Sequence, residues 1–479
     1  MHFLIRIRCL LIGALVLPTV AAGELRFGAA TLDITPTLPA ALDGQRQVRI
    51  ATRAETPLHA SVLALEAREG DRMVDQAILV SCDLVAIRQG ILEKVRAKLA
   101  PLLPGFDLRK LVLSATHTHT APVTLDGKYD LPAEGVLQPS DYAEWLTQRL
   151  AEGAAEAWRG LRPGRVGWGQ SQAVVAQNRR ATYADGTAAM YGPTNVPHFR
   201  GIEGYEDHDV DVLCFWDMND RLVATAINIA CPSQEVGGQS VVHADFWHPV
   251  REQLRSRHGR DLTVLTWTGA GGDQVPNLMY GKSSDARMRR LRGDLSRLDE
   301  IARRVVLAWE DAHAAAAQEK HAAVPFAHHV GTLQLPWRKV TILERSAAMQ
   351  EAAKYADNPK QRWNYLWNQR VVDRFNAQKA GDAGAYEMEL HAIRLGDVAL
   401  ATNDFELFTD YGIQIKGRSP ALQTFILQLS GPGTYLPTAR AVAGGGYSAV
   451  IQSSQVGPEG GQVLVNGTVD ALRVLWPAR

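Results

Sequence analysis

Apolar runs with strand character alternate with stretches of helical spacing along most of the chain, and no long linker interrupts them. This pattern predicts an α/β fold, a single large mixed domain over residues 23–479. Residues 77–84 form a continuous apolar run of the buried-strand type, and residues 89–99 carry helical apolar spacing. Ser140 is expected to cap a helix running to about Trp158. Residues 210–216 and 222–229 flank the turn-forming Asp217, Asn219 and Asp220, which predicts a hairpin. A short strand at 262–267 runs into the glycine-rich stretch 269–277.

One long charged helix is expected from Asp285 to Glu319, with Leu291, Leu295, Leu298, Ile301, Val305 and Leu307 on its apolar side. A helical pair is expected over residues 342–380. There Trp363, Tyr365, Leu366, Trp367 and Phe375 read either as core or, together with Asn364 and Asn368, as the lining of a substrate cleft. A second hairpin is placed at 388–402, strands at 424–429 and 461–465, and no internal repeat is visible.

Composition narrows the function classes. Lys plus Arg equals Asp plus Glu at 51 each in 479 residues. That balance argues against a nucleic-acid partner or a polybasic membrane anchor. Arg6 and Arg8 precede the apolar run 9–17, and small residues follow at Val20, Ala21 and Ala22. The pattern reads as a cleaved secretory signal over residues 1–22, hence a periplasmic or extracellular protein, and the run is too short to span a bilayer. No later segment reads as transmembrane. Cleavage would remove Cys9 and leave Cys82, Cys214 and Cys231, too few for a disulfide framework.

The densest chemistry is Thr116-His-Thr-His-Thr120, which closes the apolar run 110–116. In an extended backbone His117 and His119 would project from one face where the strand runs out. Imidazole is the commonest protein ligand for zinc, so a metal site is one reading, and two strand-end histidines held by backbone hydrogen bonds is the other.

Several segments together resemble the catalytic domain of the neutral, non-lysosomal ceramidases. Phe27-Gly-Ala-Ala-Thr-Leu-Asp-Ile-Thr-Pro36 resembles the opening motif of that family, and Ser81-Cys-Asp-Leu84 its S-A-D-L. Leu113-Ser-Ala-Thr-His-Thr-His-Thr120 is similar to its L-S-A-T-H-T-H-S, and Asn178-Arg179 to its N-R element. Gly272-Asp-Gln-Val-Pro-Asn277 resembles its G-D-V-S-P-N, Glu406-Leu-Phe-Thr-Asp-Tyr-Gly412 its E-F-T-T-M-A-G, and Tyr435-Leu-Pro-Thr438 its Y-V-T-T. These landmarks keep the family order from residue 27 to about residue 447.

The resemblance implies a zinc ion held by His117, Glu406 and Tyr435, with His119 lining the site and Arg179 near the substrate. Two departures accompany it. The family's nucleophilic serine aligns with Val275, which cannot attack a carbonyl. Asp273 and Gln274 then remain as a base and an oxyanion donor, or the loop is structural. A further zinc-binding histidine aligns with Cys231, which reads as a ligand or as an inert thiol; among His243, Asp245 and His248, Asp245 is the first substitute. The chain ends soon after Tyr447, leaving no room for the family's immunoglobulin-like domain. The expectation is a secreted, zinc-dependent, ceramidase-like hydrolase that cleaves an amide or related bond with metal-activated water. The alternatives are a metal-dependent enzyme acting on a carbohydrate or glycoconjugate, and a degenerate protein that binds lipid or glycan without turnover.

Overall fold

A computed structural model of the chain describes residues 22–381 and 384–476. The expected signal segment, apart from Ala22, lies outside the described residues. Twelve strands share one branched sheet, and they fall into three units built alike. The first unit is β1 (Ala22–Asp33), β2 (His59–Glu69), β3 (Arg72–Cys82) and β4 (Leu111–Ala115). The second is β5 (Arg162–Gln172), β6 (Asp209–Asp217), β7 (Leu222–Ile229) and β8 (Thr263–Thr268). The third is β9 (Ala323–Leu335), β10 (Tyr386–Leu395), β11 (Val398–Thr402) and β12 (Gln423–Leu427).

In each unit the first two pairings are antiparallel and the last is parallel. A parallel pair needs a crossover, and each unit supplies a helix there. These are α1 (Ile91–Leu99), α3 (Trp247–His258) and α8 (Thr409–Arg418). A second helix follows each last strand: α2 (Pro139–Arg159), α5 (Arg297–Ala316) and α10 (Pro458–Leu475). The remaining helices are α4 (Lys282–Leu291), α6 (Ile342–Ala353), α7 (Arg362–Ala380) and α9 (Ala439–Gly444).

The three units meet through their first strands, because β1 pairs with both β5 and β9. One buried cluster draws on all three, with Phe27 and Leu65, Phe215 and Trp267, and Leu395 and Phe425 among its members. The opposite face of each unit packs under its own helices in a separate apolar cluster. Sheets covered on both faces read as near-continuous apolar runs, which is why residues 77–84 and 262–267 show no alternation.

This topology dictates where chemistry can sit. The first, third and fourth strands of a unit run the same way, so the connections leaving them all emerge at one edge. The first strands of the units pair antiparallel only near their starts and then diverge, and residues from nine such connections, three from each unit, line one cavity. Strand carboxyl ends of this kind are where α/β folds place ligands.

Three expectations need correction. The charged helix is two helices, broken where Gly293 and Asp294 take left-handed backbone and restarted by a Ser296–Asp299 capping box. The segment 461–465 is not a strand but part of α10, whose buried Leu464, Thr468 and Leu472 recur at helical spacing. The helix expected to be capped by Ser140 begins at Pro139, with Gln138 at its cap.

Candidate functional site

The nine connections enclose a cavity of about 720 Å³. His117 and His119 enter it from the end of β4, Arg179 and Tyr191 from the β5–β6 connection, and Gln234 from the end of β7. Glu406 arrives after β11 and Tyr435 after β12. Backbone hydrogen bonds tie these loops across units, Ser233 N to Thr116 O at 3.1 Å and Gly272 N to Leu407 O at 2.8 Å. The Gly272 approach admits no side chain, since a Cβ there would lie 2.2 Å from the Glu406 carbonyl oxygen.

The two histidines meet, though not through an extended strand. The strand ends at Ala115, and His117 takes a left-handed φ of 64°, a strained conformation for a residue with a side chain. Its Nδ1 donates to the Val85 carbonyl at 2.6 Å, which fixes the ring and turns Nε2 inward. His117 Nε2 lies 3.2 Å from Glu406 Oε2 and 3.4 Å from His119 Nε2. Gln234 donates its amide to His119 Nε2 at 3.0 Å, while its carbonyl oxygen accepts from Arg179 at 3.4 Å. Glu406 and Tyr435 face each other in a short parallel ladder, and their side chains are hydrogen-bonded.

Arg179 is buried and anchored on all sides. It donates to Tyr435 Oη at 3.1 Å, to the Gly272 carbonyl at 2.8 Å and to Tyr191 Oη at 3.2 Å, and lies 3.8 Å from Glu406. Burial opposes the Arg179 charge, but the Tyr435, Tyr191 and Glu406 oxygens around it raise its pKa. Burial would likewise raise the Glu406 pKa, and His117 and Arg179 overcome it, leaving the carboxyl below its ordinary value. Burial, reinforced by His117, pushes His119 well below the usual imidazole range. Burial raises the Tyr435 phenol well above its usual value.

Four of the expected site residues stand elsewhere. Cys231 is buried in the second unit's apolar cluster, with its sulfur 3.7 Å from the Pro232 carbonyl, and burial raises its pKa far above that of a free thiol. Asp245 accepts from the Val236 and Phe246 amides, both at 2.8 Å, and so braces the Gln234 loop from behind. Burial pushes its carboxyl up to about 6. Asp273 accepts from Thr409 Oγ1 at 2.7 Å and Asn178 Nδ2 at 2.8 Å, and its carbonyl accepts from the Arg179 amide. Gln274 donates to the Tyr205 carbonyl and to Thr409 Oγ1. These two form the wall behind Arg179. His243 and His248 pair with each other, with ring centroids 6.5 Å apart.

Further residues complete the cavity or support its wall, and Trp363, Leu366 and Trp367 among them take the cleft-lining reading that their sequence offered. Asp43 in the β1–β2 connection accepts from both Arg88 and Lys128. Gly44, with φ of 94°, packs against His119, and a Cβ there would lie 2.4 Å from His119 Cγ. The helical hairpin α6–α7 lies in the β9–β10 connection and presents Trp363, Leu366, Trp367 and Arg370 to the cavity. The Trp363 and Trp367 faces that a sugar ring would need are covered. The Arg46 guanidinium sits 5.1 and 5.0 Å from their centroids and 4.6 Å from that of Tyr447.

Among the described residues, no group of three His, Cys, Asp or Glu side chains is arranged to hold a metal ion. The set around His117 mixes imidazole, carboxylate and phenol. No helix among the described residues is long and apolar enough to cross a membrane.

No family model matches the sequence, and a search of curated proteins finds no match. Among solved structures, neutral ceramidase from Pseudomonas aeruginosa is similar with a TM-score of 0.69 at 17% identity, over 95% of this chain and 76% of that one. A ceramidase complexed with C2 is similar with a TM-score of 0.67 at 17% identity, over 94% and 75%. By fold, the chain is a neutral ceramidase-like domain.

Proposed function

We propose that the protein is a zinc-dependent hydrolase acting outside the cytoplasm on an amide bond of an acylated substrate. One observation carries this reading: three electron-pair donors, two imidazole nitrogens and a carboxylate oxygen, converge under the cavity. With its Nδ1 donating to the Val85 carbonyl, His117 turns Nε2 toward a carboxylate oxygen 3.2 Å away and toward the His119 Nε2 at 3.4 Å. Such a convergence of imidazole nitrogens and a carboxylate is a donor set that a cation would hold together. A backbone carbonyl fixing the outer nitrogen of an imidazole is the usual support for a metal-binding ring.

His117, Glu406 and Tyr435 would hold the ion, a mixed nitrogen and oxygen set that suits zinc. When bound, zinc supplies Lewis acidity toward a carbonyl and lowers the pKa of water. The chain supplies the rest. Arg179 places a permanent positive charge beside Tyr435 and Glu406, where it can stabilise negative charge developing on the substrate carbonyl. His119, kept neutral by burial, accepts from the Gln234 amide and lines the cavity beside His117. Val275 is fully buried and paired with Gln177, so position 275 supplies no nucleophile, and water takes that part in this reading. The fold shared with neutral ceramidase supports the amide class.

Elemental analysis of the purified protein together with hydrolysis of N-acyl sphingosines tests the reading. About one zinc per chain is expected in the wild type, with loss of both zinc and turnover in His117→Ala and Glu406→Gln. Absence of stoichiometric metal, or metal retained by both variants, would overturn it.

A further inference from the structure

The cavity wall carries more positive charge than the proposed chemistry uses. Arg46, Arg88, Lys128 and Arg370 all line it, in addition to Arg179. Arg88 and Lys128 share a single carboxylate, that of the buried Asp43, with Arg88 Nη2 2.9 Å from Oδ2 and Lys128 on Oδ1. Two cations on one carboxylate leave a net positive charge. Burial, reinforced by Arg88 and Arg370, lowers the Lys128 ammonium to about 8, consistent with crowding by like charge.

Arg370 adds to the excess. No carboxylate lies within ion-pair distance of it among the described residues, and its electrostatic neighbour is another cation, Arg88. Arg46 is held by aromatic faces rather than by an acid. The cations lining the cavity outnumber its acids, Arg46, Arg88, Lys128, Arg179 and Arg370 against Asp126, Glu235 and Glu406. Glu406 faces His117, Glu235 pairs with Arg297 at 3.4 Å, and Asp126 accepts from the Ser140 amide.

The arrangement is ordered rather than diffuse. Trp363, Trp367 and Arg370 recur at i, i+4 and i+7 and so share one face of α7, with Arg46 laid across the two indoles. Arg88 stands three residues after Val85, the residue whose carbonyl fixes His117. The basic wall therefore begins beside the reacting centre and extends along the α7 side of the cavity.

We infer that this wall is a binding subsite for an anionic head on the substrate, so that the protein favours an acyl amide bearing a carboxylate, phosphate or sulfate over a neutral one. The inference rests on the amide-hydrolase reading for its reaction and on the charges alone for its specificity. Guanidinium forks match such oxyanions in two-point contact, and aromatic faces restrain Arg46 in advance of binding.

A matched pair of probes isolates the charge: N-dodecanoylglycine and N-dodecanoylglycinamide share chain and scissile bond and differ in one charge. With wild-type protein the acid is expected to show a kcat/KM at least about tenfold above the amide, from charge-assisted contacts. Arg370→Ala should bring that ratio close to one, Arg370→Lys should restore part of it, and raised salt should compress it. Equilibrium binding of the same pair, read by tryptophan fluorescence, separates the two hypotheses. If neither probe is cleaved but the acid binds more tightly in an Arg370-dependent way, the amide-hydrolase reading fails and the anion subsite stands. Competition by inorganic phosphate that equals competition by dodecyl phosphate would assign the site to a free anion and overturn the headgroup inference. Equal affinity for acid and amide, or a preference unchanged in Arg370→Ala, also overturns it.

Discussion

The buried ion pair under the histidine strand is the sharpest point at which stability and site geometry can be separated. Asp83 follows β3, Arg251 lies on α3, and their side chains are 0% and 1% exposed. Arg251 donates to both carboxylate oxygens, at 2.6 and 3.0 Å, and to Thr266 Oγ1 at 2.8 Å. Asp83 also accepts from the His59 amide at 2.8 Å and from Thr116 Oγ1 at 3.3 Å, one residue before His117. Asp83→Leu leaves the guanidinium buried with Thr266 as its one remaining partner and orphans the His59 amide. A buried charge stripped of its counterion costs about 3–5 kcal/mol. Arg251→Met strands the carboxylate and should cost about the same. Asp83→Leu/Arg251→Met removes both charges, so its cost should fall about 2–4 kcal/mol below the sum of the singles. Urea denaturation of the four proteins, with zinc held constant, measures the cycle. Additivity within about 0.5 kcal/mol would mean that the pair is not the buried, mutually dependent unit described here.

Other consequences follow from neighbouring contacts. Gly44→Ala places a Cβ against His119 and forces a side chain into left-handed backbone, so turnover should drop at least about tenfold while stability falls by about 1–3 kcal/mol; wild-type kcat/KM in the variant would contradict the packing. Asp273→Asn should lower stability by about 1–3 kcal/mol through weakened Thr409 and Asn178 contacts yet retain measurable turnover; complete loss of turnover at unchanged stability would make Asp273 a reacting group instead. Glu300 is fully buried among Arg292, Arg303 and Arg304. Burial opposes its ionisation, but the arginines hold its carboxyl at about 2, below its ordinary 4.5. A depressed carboxylate stabilises the fold above about 4.5, and that contribution is lost as the pH falls through about 2. Because its partners are partly exposed, the contribution is about 1–2 kcal/mol at neutral pH. Thermal melts of Glu300→Gln and wild type should therefore converge in acid, and a gap independent of pH would refute the assignment.

The sequence made the outer-covered strands and both hairpins legible because continuous apolar runs and Asx turns are local signals. The threefold architecture was not legible, since it resides in the order of pairings and three units can share that order with no shared residues. The helix break at Gly293 carried a readable signal in Ser296 and Asp299, outweighed by the continuing apolar spacing. At the site, His117, Glu406 and Tyr435 could be named because their types and order resemble a known pattern. Their partners could not. Val85 acts through a carbonyl that any residue would supply, and Arg88 and Arg370 look like ordinary surface cations until the loops of different units bring them to one wall. Cys231 takes the inert of its two readings and Asp245 braces a loop from behind, because alignment by neighbours gives position along a loop and not the side on which the loop faces the cavity.

Val275 lies in a loop whose position does not depend on its side chain. The glycine-rich loop after β8 is held by backbone contacts, Gly272 to Leu407 and Gln274 to Asn178, and by the Asp273 carboxylate on Thr409. None of these needs the side chain at 275. A serine-to-valine exchange there removes a hydroxyl without loosening the joint between the second and third units, so Arg179, whose amide and guanidinium both rest on this loop, stays in place. The converse does not hold for Gly272, where any side chain would strike the Glu406 carbonyl and part the two units. Substitution at 275 therefore leaves the loop's hydrogen bonds in place, whereas substitution at 272 acts on the whole edge. Val275→Ser should cost about 1–3 kcal/mol of stability through lost apolar burial and a buried hydroxyl yet keep its bound metal, and Gly272→Ala should lose both stability and bound metal. A Gly272→Ala protein with unchanged zinc content would show that the loop joint and the candidate site are independent.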